Sequence, residues 1–223
     1  MSSLVVIDIE TAGVPWESMS EEEQAYLLKN CKTEEEIQAE KDKTGLYPLT
    51  GQVVSVALYN PDTGHGQVLV LESGNAETIS SADSDGFTYH VHDEKSMISS
   101  FWTLVRSFDT VVTFNGRNFD IPFLLFRSMV HGLKPSRNLM PARFQLRDHL
   151  DLMEILTFFG STRRFSLDFY CRRLGIPSPK TSVSGEQVPM LFAAGDLMSI
   201  ARYNKQDVIA TAQLFRMVQS VYL

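Results

Sequence analysis

Asp8 and Glu10 stand two residues apart at the end of Leu4-Val-Val-Ile-Asp-Ile-Glu10, an apolar run that reads as a buried strand. Side chains alternate along a strand, so both carboxylates point to the same side of the sheet. Desolvation and mutual repulsion make two such anions costly, and a divalent cation removes both penalties together. The plain alternative is a strand end that has already reached solvent. Asp120 follows another buried strand, in Asn115-Gly-Arg-Asn-Phe119-Asp120-Ile-Pro122, where it is either a second-site acid or simply a helix N-cap. Tyr203 and Asp207 are four apart on the last helix and share a face with Ile200, Ala210 and Leu214. An acid in that stripe needs a strong partner, which a metal ion or a distant lysine or arginine supplies. Four misplaced carboxylates without a histidine or cysteine cluster describe an all-oxygen site, which selects magnesium or manganese. Two such ions ~3.5–4 Å apart are a standard device for in-line displacement at phosphorus.

These residues need elements to hold them. Leu4–Ile9, Val53–Tyr59 and Thr110–Phe114 read as buried strands, and Gln67–Leu71 and Phe87–Val91 as weaker ones across the polar stretch Glu72–Gly86. Asp93 is placed to cap a helix running to Phe108, with Met97, Phe101, Leu104 and Val105 on one face. Asn115-Gly116 signals a turn before a helix that closes near Gly132. Further helices are expected at Leu150–Phe159, Ser166–Leu174, Gly185–Ala194 and from Asp196 to about Ser220. Strands first, then a strand among helices, predict a layered α/β fold.

The 223 residues fit one domain, 1–223, and carry a formal charge of −7. Cys31 and Cys171 are too few and too far apart for a disulfide framework or a thiolate zinc site, which favours a reducing, cytoplasmic compartment. No apolar run approaches a membrane span, and the N-terminus lacks the features of a signal peptide. The acidic balance argues against coating nucleic acid by bulk charge, not against acting on it at one place. Glu17–Lys43 holds nine acids against four lysines, −5 of the total, and predicts an acidic, amphipathic helical insertion at about 15–46. A solvated surface, a protein-partner site and an active-site cover all suit it. Between Arg127 and Lys180, ten basic residues face four acids, which suits contacts to a strand's backbone or a merely solvated surface.

The order Asp8-Ile-Glu10-Thr11, Asn115-Gly-Arg-Asn-Phe119-Asp120 and Tyr203-Asn-Lys-Gln-Asp207 resembles the DEDD superfamily of 3′-5′ exonucleases. The tyrosine marks the DEDDy (DnaQ-like) branch that includes the proofreading domains of family B DNA polymerases. Tyr47-Pro-Leu-Thr-Gly-Gln-Val-Val54, His149-Leu-Asp-Leu-Met153, Ser166-Leu-Asp168, Leu174-Gly-Ile-Pro177 and Gly185-Glu-Gln-Val188 are similar to stand-alone exonucleases related to that domain. The resemblance implies a ribonuclease H-like fold with a central mixed β-sheet flanked by α-helices. It implies a metal-dependent 3′-5′ exonuclease working on single-stranded ends with two ions of Mg2+ or Mn2+.

Asp8, Glu10, Asp120 and Asp207 would be the metal ligands, and Tyr203 would position the attacking water. Thr11, Asn115 and Phe119 would meet substrate: Thr11 through backbone or hydroxyl, Phe119 by stacking. Asn115 also suits a turn that steadies the Asp120 loop, and Phe119 ordinary core packing. Asp151, opening a helix, reads as a cap or a support. Partners would be the 3′ ends of single-stranded DNA, which is favoured, or RNA, with no membrane and a possible protein partner through the insertion. The chain has no room for a polymerase, so any proofreading role would need a partner. The rival readings are an RNA-trimming enzyme of the same fold and a catalytically silent binding or recruiting module.

Overall fold

The structure is a computed structural model that describes residues 3–72, 84–177 and 184–222. Strand β1 (Leu4–Gly13) leads into the insertion, helices α1 (Glu21–Leu28) and α2 (Glu34–Asp42). The chain then forms β2 (Gly51–Asn60), β3 (His65–Leu71), β4 (Phe87–His92), α3 (Glu94–Val105) and β5 (Thr110–Thr113). Helix α4 (Asp120–Val130), β6 (His149–Asp151), α5 (Leu152–Leu156), α6 (Leu167–Leu174), α7 (Val188–Ala193) and α8 (Leu197–Val221) follow. The strands make one mixed sheet in the order β4-β3-β2-β1-β5-β6. β2 is antiparallel to β1 and β3; the pairs β3/β4, β1/β5 and β5/β6 are parallel.

The alternation of β1 divides the interior. Val5, Ile7 and Ile9 join a core with Met97, Phe101 and Trp102 of α3 and Ile121, Phe123 and Leu124 of α4. Leu4 and Val6 join the opposite core, with Ala201, Val208 and Leu214 of α8 and Cys171 of α6. Asp8 and Glu10 continue that second register, so β1 delivers two carboxylates to the α8 side where its apolar residues stop.

The expected helix starts hold at the caps. Asp93, Ser166 and Asp196 accept hydrogen bonds from the amides of Ser96, Phe169 and Ser199, and Gly175 closes α6 with φ of 73°. The helix expected over Leu150–Phe159 differs. His149–Asp151 is an edge strand paired with β5 through Val111↔His149 and Thr113↔Asp151, and the helix starts only at Leu152. Three residues are too short a run to show an alternating pattern. The stretch expected as one helix from Gly185 begins with a 3-10 turn, Gly185–Gln187, before α7.

The two insertion helices exist and are capped by Ser20 and Thr33, but neither buries a residue, so they are acidic surface helices without an apolar packing face. Residues 73–83 of the polar connection, and Lys180, lie outside the described residues. Among the described residues no helix is long and apolar enough to cross a membrane.

The basic stretch is partly internal. Arg127 is buried and forks onto Glu94 with contacts of 2.8 and 2.6 Å. Arg137 donates to the carbonyls of Phe108 and Asp109, Arg143 pairs with Glu154, and Arg172 with Asp168. Glu94 also accepts from the Val53 amide at 2.8 Å and touches the His131 ring, so one carboxylate ties α3, α4 and the start of β2 together. Its hydrogen bonds hold the Glu94 carboxyl below its ordinary range despite burial. Truncating one partner of a buried pair strands the other charge. Glu94→Ala is therefore expected to lower the unfolding free energy by about 3–5 kcal/mol in urea titrations. A loss below about 1 kcal/mol would place the pair among ordinary surface bridges.

Candidate active site

Asp8, Glu10 and Asp207 each offer a carboxylate oxygen, and these oxygens all lie within 4.8 Å of one another. Two elements bring them there. Asp8 and Glu10 are paired across the ladder with Ala57 and Ser55, and a bulge follows between Glu10 and Thr11. Helix α8 is fastened over this point by Asn204, whose Nδ2 donates to Ser55 Oγ at 3.1 Å inside the core. Asn204 sits between Tyr203 and Asp207, so the bond that docks α8 opposite Glu10 also fixes the helix rotation that presents them.

Asp120 reaches the cluster from the other side of the sheet's end. It is the first residue of α4, with Phe119 at the cap position, so it is not the N-cap that its place before Pro122 would suit. Its Oδ1 accepts from the Ile9 amide at 3.1 Å, beyond the last β1/β5 pair, Val6↔Val112. Asp120 thus stands beside the three-carboxylate group and outside its 4.8 Å circle.

The loop that carries Asp120 is held by Asp151. This carboxylate accepts from the amides of Asn115 at 2.8 Å, Arg117 at 2.9 Å and Met153 at 2.9 Å. It caps α5 with the last bond and clamps the β5–α4 turn with the first two, so it supports the site without joining it. Asn115 adopts φ of 67°, and a Cβ at Gly116 would lie 2.5 Å from the Thr113 side chain, so the tight Asn-Gly turn is required here. The Asn115 side chain accepts from Asn118, and the residue lines a pocket with Asp8, Tyr203 and Asp207.

The electrostatics match a cluster of like charges. Burial raises Asp8 well above the usual carboxylate range, and the Asp120, Asp207 and Glu10 carboxylates raise it further. Burial followed by Asp207 and Asp120 does the same to Glu10. Burial pushes Asp120 to about 7, although its own amide and that of Ile9 pull it down. Among the described residues, every charged neighbour that shifts Asp8 or Glu10 is another carboxylate. Tyr203 is driven upward by burial, then by Asp207, Glu10 and Asp8, so its phenol keeps its proton and remains a donor.

Glu10, Thr11 and Phe119 open onto a cleft of about 990 Å³, whose far wall includes Trp16, Lys41 and Leu46 of the insertion. The Thr11 hydroxyl donates to the Gly45 carbonyl at 2.7 Å, so it fastens the end of the insertion to β1. Phe119 packs on the α3/α4 core beside Phe123, and it also lines the cleft. Sequence reasoning missed Asn204 and Ser55, and it left the insertion's place open between a solvated surface, a partner site and an active-site cover. The only signal for Asn204 was a polar residue beside two site residues on a helix whose other face is apolar.

Residues 53–222 match the model of a family described as a predicted 3′-5′ exonuclease related to the exonuclease domain of PolB. The matched stretch contains Asp120, Tyr203 and Asp207, while Asp8 and Glu10 precede it. The chain is 25% identical over 176 residues to DNA polymerase 1 of Sulfolobus acidocaldarius, covering 73% of this chain and 19% of that protein. It is 26% identical over 199 residues to the DNA polymerase of a Desulfurococcus species, covering 76% of this chain and 26% of the relative. The structure of the family B DNA polymerase from the hyperthermophilic archaeon Pyrobaculum calidifontis superimposes with a TM-score of 0.64 and 18% identity. That match covers 98% of this chain and 25% of the polymerase, and it shows a shared ribonuclease H-like fold. The chain thus spans between 19% and 26% of the length of these proteins.

The raised Asp120 has a measurable consequence. Folded, it keeps a proton at pH values where an unfolded aspartate has lost it, so its contribution to stability declines as pH rises from about 4 through about 7. In chelator, Asp120→Asn should gain stability over the wild type between about pH 5 and pH 8, by at most about 4 kcal/mol. Thermal melts of both proteins across this range test it, and a gap that stays constant or shrinks with pH contradicts the assignment.

Proposed function

The chain belongs to the family of predicted 3′-5′ exonucleases related to the exonuclease domain of PolB, and on that premise we propose that it is a metal-dependent 3′-5′ exonuclease acting on single-stranded DNA ends. The observation that carries this reading is the meeting of Asp8, Glu10 and Asp207 within 4.8 Å. The donor set is all oxygen and all anionic, with raised carboxyls that a hard dication would return to their charged form. Magnesium and manganese fit it, and histidine- or thiolate-seeking metals do not.

Asp8, Glu10 and Asp207 would hold one ion. Asp120, with Oδ1 on the Ile9 amide, would offer its second oxygen to another ion shared with Asp8. Such ions supply positive charge that acidifies water and offsets the charge developing on the phosphate and its leaving 3′ oxygen. The chain's own residues do the rest. Tyr203, protonated and one helical turn from Asp207, to which its O–H donates here, would turn that O–H to the attacking water once the carboxylate is engaged by an ion. It does not act as a base, because its phenol is held above its ordinary value. Phe119 offers a ring to the terminal bases, a contact that tolerates any sequence. Asp151 and Asn115 keep the Asp120 loop rigid, so that little motion is needed as the phosphodiester arrives.

A 5′-labelled single-stranded oligonucleotide should shorten to a ladder with magnesium or manganese and stay whole with a chelator. Asp8→Ala should abolish the ladder, and full-length substrate under every metal condition would overturn the proposal. Tyr203→Phe should cut kcat by roughly 10- to 100-fold with binding nearly unchanged. Equal losses in turnover and binding would remove Tyr203 from the water-positioning role.

A further inference from the structure

The insertion is the largest feature that the catalytic reading leaves unused, and its inner edge lies in the cleft beside Glu10. It is built in tightly. A Cβ at Gly13 would fall 2.2 Å from Thr44 Oγ1, and one at Gly45 would fall 2.9 Å from the Gly13 amide. With the Thr11–Gly45 hydrogen bond, this close approach locks the end of the insertion to β1 within a few residues of Glu10.

The chemistry of this wall is distinctive. Lys41 Nζ lies 5.0 Å from the centre of the Trp16 ring, and both residues line the cleft. Leu46 on the same wall and Met190 on the opposite one are 55% and 61% exposed. Among the described lining residues Lys41 is the one basic side chain, against Glu10, Asp42 and Glu186. An acidic cleft does not draw nucleic acid by bulk charge. Besides the Phe119 ring, its usable surfaces are an indole, two flexible apolar side chains and a single ammonium, which suit a base and a phosphate.

We propose that the insertion is a substrate wall, in which Trp16 stacks on the base of the 3′-terminal nucleotide and Lys41 pairs with a phosphate of the same strand. This rests on the exonuclease reading. The acids of α1 and α2 then disfavour phosphates over the rest of the insertion, and Lys41 is its basic contact at the cleft, beside Asp42.

The protein's two tryptophans make the test direct. Trp102 is buried and donates to Ser128 Oγ, so emission that responds to a ligand in the cleft comes from Trp16. Titrating the full chain with thymidine 5′-monophosphate and magnesium should quench emission saturably, with the quench lost in Trp16→Phe and weakened by Lys41→Gln. In the ladder assay, Trp16→Ala and Lys41→Gln should each raise KM for single-stranded oligothymidylate roughly tenfold, with kcat within about threefold. A quench that persists in Trp16→Phe, or an unchanged KM in both variants, overturns the wall. A wild-type chain that leaves the oligonucleotide whole defeats the exonuclease reading instead, so the two failures are told apart.

Discussion

Like charges held together against their own repulsion are the constraint on which this molecule is built. Three carboxylates within 4.8 Å, with a fourth beside them, oppose folding whenever they are ionised and uncompensated. The surrounding fold must therefore be rigid enough to prevent them from swinging apart into solvent. β1 is an interior strand; at Asp8 and Glu10 its ladder continues on the β2 edge, and on the other edge the Ile9 amide between them is held by Asp120. Helix α8 is buried along most of one face and docked by Asn204 onto Ser55. The apolar cores on both sides of the sheet supply the stability that this arrangement consumes.

The same constraint explains the division of labour among the acids. Asp151 accepts three amide hydrogen bonds and positions the loop, with burial as the main force on its carboxyl. Glu94 is answered by Arg127 and belongs to the framework. Among the described residues, Asp8 and Glu10 have only other carboxylates as charged neighbours that shift them. Buried acids are thus sorted by what answers them: amides for Asp151, a guanidinium for Glu94, and other carboxylates for Asp8 and Glu10.

Much of this was legible in the sequence. The Asp-x-Glu pair in an apolar strand and the Tyr-x-x-x-Asp pair in a buried stripe name their own geometry, because strand and helix periods fix which side chains share a face. The capped helices were legible for the same local reason. What stayed hidden depends on partners distant in the chain. Nothing near Arg127 distinguishes it from a solvated surface arginine, since its meaning lies in Glu94. The short edge strand His149–Asp151 is defined by its pairing with β5 and not by its own pattern. Asn204 reads as an ordinary helix residue until α8 is laid over Ser55, and the acidic insertion suits a surface, a partner site or a cover alike until its end is seen packed against Gly13.

One consequence follows from how β1 meets β2. Their ladder runs from Val6↔Tyr59 to Gly13↔Gly51 with one bulge after Glu10, so the insertion is topologically an overgrown hairpin loop with both feet fixed. The entropy of closing such a loop grows only with the logarithm of its length. Sequence between the feet is therefore free to lengthen, shorten or be exchanged while the register that presents Asp8 and Glu10 stays the same. The placement of the two carboxylates thus rests on the ladder and its bulge, and not on the length of the chain that the hairpin carries.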